Sequence, residues 1–249
     1  MKSDTTLGIL GGLGPMSGVY FCEMLTRHTR AERDSEHLDF LLSSRASTPD
    51  RTDFILGRSD ESPVPAMIGE VRKLIGAGAD LIAIPCNTAH SFYESIQSAS
   101  SVPVINIIEQ TVAFCQAAGL RRIGVLATKV TVASGAYAEV CRKAGLSYLT
   151  ASDEDQAIVS SIIYDQIKQG RPADRDAFRS VADRLLDRGC DKLILGCTEL
   201  SLLKKTATLG DEFIDSLEVL AYASIRLCGK EPIGFDDALT RFQPVLPPL

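Results

Sequence analysis

Two cysteines in matching sequence settings are the residues of this chain best suited to chemistry. Cys86 ends the stretch 78–86 and Cys197 ends the stretch 189–197, and the two stretches align without a gap at an offset of 111 residues. Each reads as a glycine-terminated helix, a buried apolar strand, and a cysteine followed by small polar residues that begin the next helix. A helix N-terminus favours the thiolate form of such a cysteine. Two thiols placed in this way could act on one carbon from opposite faces.

The duplication extends to the start of each half. Residues 7–10 followed by 17–20 resemble residues 123–126 followed by 134–137, at an offset of 116 to 117 residues. A repeat of this length indicates duplication of a whole domain, because solenoid repeats run to roughly 20 to 50 residues. Two similar halves packed face to face would bring both cysteine-bearing strand ends to one cleft.

Strands alternate with amphipathic helices along the whole chain. The pattern predicts an α/β fold of two pseudo-symmetric α/β domains, with mainly parallel sheets covered by helices and the active site in the interdomain cleft. Residues 1–109 and 210–249 are expected to form the domain that carries Cys86, and residues 110–209 the domain that carries Cys197. One helix is predicted over residues 132–144 and another over 156–169. Strands are predicted at residues 7–10, 38–43, 81–84, 104–107, 123–127, 147–150, 192–195 and 213–215.

Composition is that of an ordinary soluble globular protein. The 249 residues are 45% hydrophobic and 23% charged, enough for two domains of about 110 residues. The net charge of −6 argues against a nucleic-acid partner. No apolar run approaches the roughly 18 to 20 residues of a membrane span, and no signal peptide precedes the first strand. We therefore expect no membrane partner and a cytoplasmic location. Seven cysteines without a C-x-x-C pair fit a reducing compartment.

A glycine-rich turn, Gly-Ile-Leu-Gly-Gly-Leu-Gly-Pro, occupies residues 8–15. It does not fit the dinucleotide fingerprint G-x-G-x-x-G, because aligning Gly12 and Gly14 puts Ser17 at the third glycine. We interpret it as a turn whose backbone N–H groups approach a small anion. A purely structural turn is the alternative.

Other chemistries would use the cysteines differently. Cys86 and His90 are four residues apart and could supply two ligands of a metal site. No third ligand is evident from the sequence, so no metal is predicted. A Cys-His hydrolase pair would need an orienting third group and would leave Cys197 without a role. The other cysteines lie in apolar helix stripes or at a helix end and are predicted to act as small buried side chains: Cys22, Cys115, Cys141, Cys190 and Cys228.

Five motifs in order along nearly the whole chain resemble the cofactor-independent aspartate/glutamate racemase superfamily, and most closely its aspartate racemase branch. They are the glycine-rich turn at 8–15, Pro-Asp-Arg-Thr at 49–52, Pro-Cys-Asn-Thr-Ala-His at 85–90, Ile-Ile-Tyr at 162–164 with Lys168, and Gly-Cys-Thr-Glu at 196–199. Glutamate racemases place Cys-Thr-His at the second cysteine, which is why the Cys-Thr-Glu sequence favours the aspartate branch. The resemblance implies no cofactor and two pseudo-symmetric domains with a site between them.

The resemblance also implies a reaction and a set of site residues. Cys86 and Cys197 would be catalytic, interconverting L- and D-aspartate, with glutamate as a further candidate, by two-base proton transfer at Cα. Arg51 and Lys168 would bind the carboxylates of this dicarboxylic amino acid. Around the substrate would lie Asn87, Thr88, Thr198, Glu199, Gly12 and Leu13. The sequence leaves the oligomeric state open, with a homodimer as a candidate.

The chemistry of these residues agrees with that assignment. Racemisation takes a proton from one face of Cα and supplies one on the other, which two fixed thiols can do without moving. A thiol pKa of roughly 8.5 can be lowered at a helix N-terminus, so that one thiolate and one thiol coexist. The enediolate that develops would need N–H and hydroxyl groups, here those of residues 87–88 and 198–199. Glu199 would either polarise the Cys197 thiol or cap the helix that follows.

Other functions remain open from the sequence. The superfamily also contains broad-specificity and hydantoin racemases, maleate isomerases and arylmalonate decarboxylases. The charged residues Arg51 and Lys168 favour a dicarboxylate over bulky or apolar substrates. A non-catalytic two-domain solute-binding protein would share the cleft but would have no use for symmetric thiols.

Overall fold

Two parallel four-stranded sheets form the framework of the protein. The computed structural model describes residues 5–206 and 209–248. The first sheet contains β1 (Leu7–Gly11), β2 (Phe40–Ser44), β3 (Leu81–Ala83) and β4 (Val104–Ile105), in the order β2-β1-β3-β4. The second contains β5 (Arg122–Leu126), β6 (Ser147–Thr150), β7 (Lys192–Leu195) and β8 (Phe213–Asp215), in the order β6-β5-β7-β8. The shared strand order confirms the predicted α/β fold of two similar halves.

Helices flank the two sheets. They are α1 (Pro15–His28), α2 (Arg51–Ile55), α3 (Val64–Gly76), α4 (Tyr93–Ser98), α5 (Ile107–Ala117), α6 (Lys129–Ala133), α7 (Ala136–Lys143), α8 (Asp153–Ser161), α9 (Arg175–Asp187), α10 (Thr198–Thr206), α11 (Ser216–Leu227) and α12 (Asp237–Thr240). Short 3-10 turns lie at Asp34–Glu36, Thr88–Phe92 and Ile167–Gln169, and a π-helical turn lies at Ile162–Gln166. Within the described residues, no helix is long and apolar enough to cross a membrane.

The two sheets repeat one detail of close packing. Gly8 in β1 pairs with Ile82, and Gly124 in β5 pairs with Leu193. A Cβ added at either glycine would lie 2.6 Å from a terminal methyl carbon of that partner side chain. Each half therefore requires a glycine at the equivalent position, as expected for a duplicated domain.

Alanine at these glycines should destabilise the fold. We expect Gly8→Ala and Gly124→Ala each to lower the free energy of unfolding by about 1 to 3 kcal/mol, because the added methyl overpacks the core. Gly69→Ala is the matched control, because Gly69 lies inside α3 with no atom close to its would-be Cβ. That substitution should be neutral, or stabilising by up to about 1 kcal/mol. Urea unfolding midpoints compare the three, and equal midpoints for Gly124→Ala and Gly69→Ala would contradict the packing argument.

The C-terminal segment connects the halves. β8 pairs with β7 in the second sheet, while α11, which follows directly, packs against α1 and α5. The predicted division placed all of residues 210–249 with the first half, so the position of β8 differs from it. β8 belongs to the second sheet because its buried side chains extend that parallel ladder. The remaining domain boundaries stay a prediction.

Helix α11 is buried because it is apolar on most of its circumference. Its N-terminus is capped by Asp215, whose Oδ1 accepts a hydrogen bond from Leu217 N at 2.8 Å. One continuous apolar cluster includes Ile9 of β1, Val125 of β5 and Tyr222 of α11. The two halves therefore share a core, and the cleft between them is a feature of one packed body.

Candidate active site

Both repeated cysteines line one narrow cavity between the halves. Cys86 lies just beyond β3 and Cys197 just beyond β7, at equivalent edges of the two sheets. The cavity is small, with a volume of about 10 Å³, which is room for about one water molecule. Both cysteines are almost inaccessible to solvent, with exposed fractions of 7% for Cys86 and 5% for Cys197. All seven cysteines are free thiols, so no disulfide removes either of the two from use.

The cavity brings together every predicted site residue except one. Lining it are Cys86, Cys197, Arg51, Asn87, Thr88, Thr198, Lys168, Glu199 and Leu13. Gly12 instead lines a neighbouring cavity. Its φ is +81°, and a Cβ there would lie 2.5 Å from the carbonyl carbon of Arg45. Glycine at position 12 is thus explained by the close approach of two backbone segments.

The turn that carries Cys86 is fixed by backbone and imidazole hydrogen bonds. Cys86 N donates to the Ile84 carbonyl at 2.7 Å. The Cys86 carbonyl lies 2.9 Å from His90 Nδ1, and His90 Nε2 accepts from Ile107 N at 3.2 Å. Nε2 also lies 3.4 Å from the Ile105 carbonyl, but its shorter contact is with a backbone N–H, which can only donate. The ring proton is therefore assigned to Nδ1, which donates to the Cys86 carbonyl. In this way His90 positions the cysteine turn.

Burial raises the pKa of both thiols, so the lowering expected from the sequence was wrong. For Cys86, the positive charge of Arg51 partly offsets the effect of burial on the pKa. The pKa of Cys197 lies well above its ordinary value because of burial and then the Glu199 carboxylate. Desolvation destabilises each thiolate by more than the backbone N–H groups at these turns stabilise it.

A carboxylate lies directly beside Cys197. The Cys197 thiol donates to Glu199 Oε2 at 3.0 Å, and Glu199 Oε1 lies 3.7 Å from Lys168 Nζ. Lys168 Nζ is also 5.0 Å from the centroid of the Tyr164 ring. Of the two roles left open for Glu199, the geometry supports polarisation of the thiol.

The glycine-rich turn makes room for the Glu199 carboxylate. Gly14 has a φ of +140°, and a Cβ there would lie 2.5 Å from Glu199 Oε1. Any side chain at position 14 would displace the carboxylate. The turn therefore accommodates an anion that belongs to the chain itself, and an approach of its N–H groups to a bound anion stays a prediction.

Arg51 is a buried cation held by carbonyl groups. It begins α2 and is only 7% exposed. Its Nη2 donates to the Leu13 carbonyl at 3.0 Å and its Nη1 to the Pro49 carbonyl at 3.2 Å, while Nε has no partner. Within residues 5–206 and 209–248 no carboxylate forms an ion pair with it. A buried guanidinium without a counter-ion is unfavourable, so the cavity favours an anionic ligand.

Two equivalent polar residues that line the cavity, Asn87 and Thr198, connect the two halves by hydrogen bonds. Asn87 Nδ2 donates to Ser216 Oγ at 3.0 Å, and Asn87 Oδ1 accepts from Tyr137 OH at 2.7 Å. Thr198 Oγ1 donates to the Pro85 carbonyl at 3.2 Å. Each residue follows its cysteine and reaches into the opposite half. Their predicted contacts with substrate stay a prediction, because the hydrogen bonds of both side chains lie within the protein.

A cluster of threonine hydroxyls forms one wall. Thr88 Oγ1 lies 2.9 Å from Thr131 Oγ1, which lies 2.9 Å from Thr128 Oγ1. Thr128 also lines the cavity and is not among the residues predicted from the sequence. The internal repeat could have found it, because Thr128 follows β5 where Gly12 follows β1.

Tyr164 is a further lining residue that is not among those predicted from the sequence. Its hydroxyl lies 2.8 Å from Thr52 Oγ1, so the π-helical turn of the second half contacts helix α2 of the first. Tyr164 belongs to the Ile-Ile-Tyr motif at residues 162–164, and this motif could have identified it as a site residue. Thr52 and Asp50 also line the cavity, and both belong to the Pro-Asp-Arg-Thr motif.

The chain is similar over most of its length to known proteins. Residues 10–223 match the Asp/Glu/Hydantoin racemase family. The broad specificity amino-acid racemase RacX of Bacillus subtilis is 29% identical over 224 residues, which cover 88% of this chain and 96% of that protein. The aspartate racemase of Picrophilus torridus superposes with a TM-score of 0.80 at 31% identity, covering 92% of this chain and 96% of that one. Glutamate racemase of Francisella tularensis shares the fold, with a TM-score of 0.61 at 20% identity over 90% of this chain and 81% of that one.

Proposed function

Because the chain belongs to the Asp/Glu/Hydantoin racemase family, we propose that it interconverts the L and D forms of a dicarboxylic amino acid, aspartate first, without a cofactor. The family and its racemase relatives make the chain an isomerase. The observation that carries the choice of substrate class is Arg51, a buried cation beside the two thiols with an unpaired Nε. A carboxylate of the substrate would supply the missing counter-ion.

In the proposed reaction, the substrate Cα lies between Cys86 and Cys197. One sulfur, as the thiolate, removes the α-proton from one face of Cα. The other sulfur, as the thiol, donates its proton to the opposite face, and the configuration inverts. Hydroxyl and backbone N–H groups next to the cysteines would stabilise the enediolate while it carries the extra charge.

Arg51 and Lys168 would anchor the two carboxylates from different directions. Arg51 is fixed by the Leu13 and Pro49 carbonyls, which preorganises its guanidinium for a two-pronged contact. Lys168 lies 3.7 Å from Glu199 in the cavity lining, and it would contact the second carboxylate. Two cations at different points of one cavity suit a small dianion.

The similarity to the Picrophilus torridus protein, which is named an aspartate racemase, supports aspartate as substrate. A broader amino-acid range is the second candidate. It is favoured by the similarity to the Bacillus subtilis protein, named as having broad specificity. The cavity beside Gly12 also shares Arg51, Lys168 and Glu199 with the site and would give longer side chains room.

The pH dependence of turnover should have a rising limb. Burial raises the pKa of the Cys86 thiol, and only the thiolate can act as the base. The thiolate fraction, and with it kcat/KM for aspartate, should therefore increase by up to about tenfold per pH unit from about pH 7 to pH 9. Initial rates in overlapping buffers measure the profile. A profile that falls over this range would contradict a thiolate base.

The proposed function is tested by exchange of the α-proton for deuterium, followed by NMR over a panel of L- and D-amino acids without added cofactor. We expect exchange with aspartate from either enantiomer, accompanied by loss of optical purity on chiral chromatography. Neutral amino acids should exchange more slowly. The Cys86→Ser, Cys197→Ser double variant is the blank. Absence of exchange with both aspartate and glutamate would refute the proposal.

A further inference from the structure

The symmetry of the two halves is broken two residues beyond each cysteine. Thr88 and Glu199 occupy equivalent positions and are both buried. Thr88 bonds to the hydroxyl of Thr131, whereas the Glu199 carboxylate accepts the hydrogen bond of the Cys197 thiol. Cys197 therefore has a carboxylate partner, and the equivalent position beside Cys86 holds a hydroxyl that is already engaged elsewhere.

The surrounding residues hold the carboxylate at this position. Lys168 Nζ lies 3.7 Å from Glu199 Oε1, and Gly14 provides space where any side chain would collide with the same oxygen. The segments at residues 14 and 168 thus both fix the position of the carboxylate at residue 199. Contacts from this many elements give a buried group a single defined arrangement.

We propose that Glu199 is a positioning residue that keeps Cys197 in its thiol form before substrate binds, so that the resting enzyme is ready for the enantiomer whose α-proton faces Cys86, with Cys86 as the base and Cys197 as the acid. This inference rests on the proposed racemase function. It assigns different starting roles to two cysteines that the fold places equivalently.

The proton transfers balance as follows. The Cys86 thiolate takes the α-proton and becomes a thiol, and the electron pair of the broken C–H bond moves into the enediolate. The Cys197 S–H bond then breaks, its proton bonds to the opposite face of Cα, and Cys197 is left as a thiolate. This thiolate faces the Glu199 carboxylate, with Lys168 as the nearest offsetting charge. Transfer of a proton from Cys86 to water and from water to Cys197 restores the starting form.

The charged and titratable groups around the two sulfurs favour the same order. Those that line the cavity with them are Asp50, Arg51, Tyr164, Lys168 and Glu199. The Glu199 charge raises the pKa of both thiols, but only Cys197 also donates a hydrogen bond to this carboxylate. Arg51 is the strongest influence opposing the rise in the Cys86 pKa. Of the two thiols, Cys86 is the one expected to lose its proton first.

The direct test measures the reactivity of each thiol without substrate. Iodoacetamide reacts with thiolates, and mass spectrometry of the digested protein reports each cysteine separately over about pH 6 to 9. In the wild type, Cys86 should react at least about tenfold faster than Cys197. In Glu199→Gln, the Cys197 rate should rise by about tenfold or more, because the amide carries no charge and can donate a hydrogen bond to the thiolate.

Glu218→Gln is the matched control. Glu218 is also paired with a lysine, Lys204, but does not line the cavity, so its replacement should change neither rate. Glu199→Asp keeps the charge but retracts it from the sulfur, and should give an intermediate Cys197 rate. If Cys197 reacts before Cys86 in the wild type, or equally slowly in Glu199→Gln and the wild type, the inference is overturned. Alkylation does not depend on turnover, so a lack of racemisation would count against the proposed function alone.

A kinetic readout distinguishes this role from a structural one. The two enantiomers have equal free energy, so kcat/KM must be the same in both directions. The separate values of KM and kcat can still differ between the enantiomers. If the resting enzyme is held in one protonation form, one enantiomer should show a lower KM and a proportionally lower kcat than the other. Glu199→Gln should reduce this KM ratio toward one, whereas a merely destabilised protein would lose active enzyme and keep the ratio.

Discussion

Serine at either Cys86 or Cys197 is expected to lower the rate of aspartate racemisation by about 10³-fold or more. Each thiol serves one of the two proton transfers, and a hydroxyl is too weak an acid and too poor a source of the anion to replace it. Both sulfurs line the same cavity, so neither loss can be made good by the other. Initial rates followed by chiral chromatography measure the effect.

Cys22→Ser controls for the substitution itself. Cys22 lies on α1, is partly exposed and does not line the cavity, so this variant should keep wild-type rates. Binding of aspartate, measured by calorimetry, should survive in Cys86→Ser and Cys197→Ser better than turnover does. If either variant retains a tenth or more of wild-type activity, that cysteine is dispensable and the two-base reaction is wrong.

Replacement of Arg51 should separate substrate anchoring from the chemistry. Arg51→Lys keeps the charge but loses the planar geometry, and Arg51→Leu loses both. We expect kcat/KM for aspartate to fall in the order wild type, Lys, Leu. Each lost charge-assisted contact should cost about 1.5 to 3 kcal/mol of transition-state binding, or roughly 10- to 150-fold in rate.

Two comparisons make the Arg51 result specific. A neutral amino acid, if it is turned over at all, should be affected less than aspartate in the same variants. Arg58→Leu removes a second arginine from the same loop region, where it is exposed and loosely paired with Asp53, and should leave kcat/KM unchanged. Unaltered aspartate turnover in Arg51→Leu would remove the main support for a dicarboxylic substrate.

Most strands were predictable because they are short apolar runs that are buried in the sheets. The edge strands β2 and β6 are only partly buried. All eight predicted strands are present, with ends shifted by no more than two residues. Residues 132–144 were predicted as one helix, yet the chain forms α6 and α7 around Gly135, which has a φ of +70°. A single glycine within an amphipathic pattern does not reveal whether it adopts a left-handed conformation.

The helix predicted over residues 156–169 shows a second limit. It begins at Asp153 as α8 but continues as a π-helical and then a 3-10 turn. A wider turn changes the direction of its side chains, and it brings Tyr164 to Thr52, a contact between residues 112 apart in sequence. Such an irregularity depends on tertiary contacts, which hydrophobic periodicity does not encode.

The candidate site was predictable in its membership more than in its electrostatics. Cys86, Cys197 and Arg51 follow strand ends or stand in motifs, and the topology alone brings them together. The direction of the thiol pKa shifts was not predictable, because it depends on how completely the folded protein excludes water. The contact between Cys197 and Glu199 likewise required the side-chain geometry.

The packing of helix α11 bears on how a protein of two similar halves could arise by duplication. A single half, produced as a chain of its own, would leave bare the faces of α1 and α5 that α11 now covers. Such a chain could shield them only against another chain, and two identical copies facing one another would set their cysteines opposite each other. Fusion of two copies fixes that arrangement in one molecule and frees each copy to diverge. The threonine at position 88 and the glutamate at position 199 are a divergence that a pair of identical subunits could not have made.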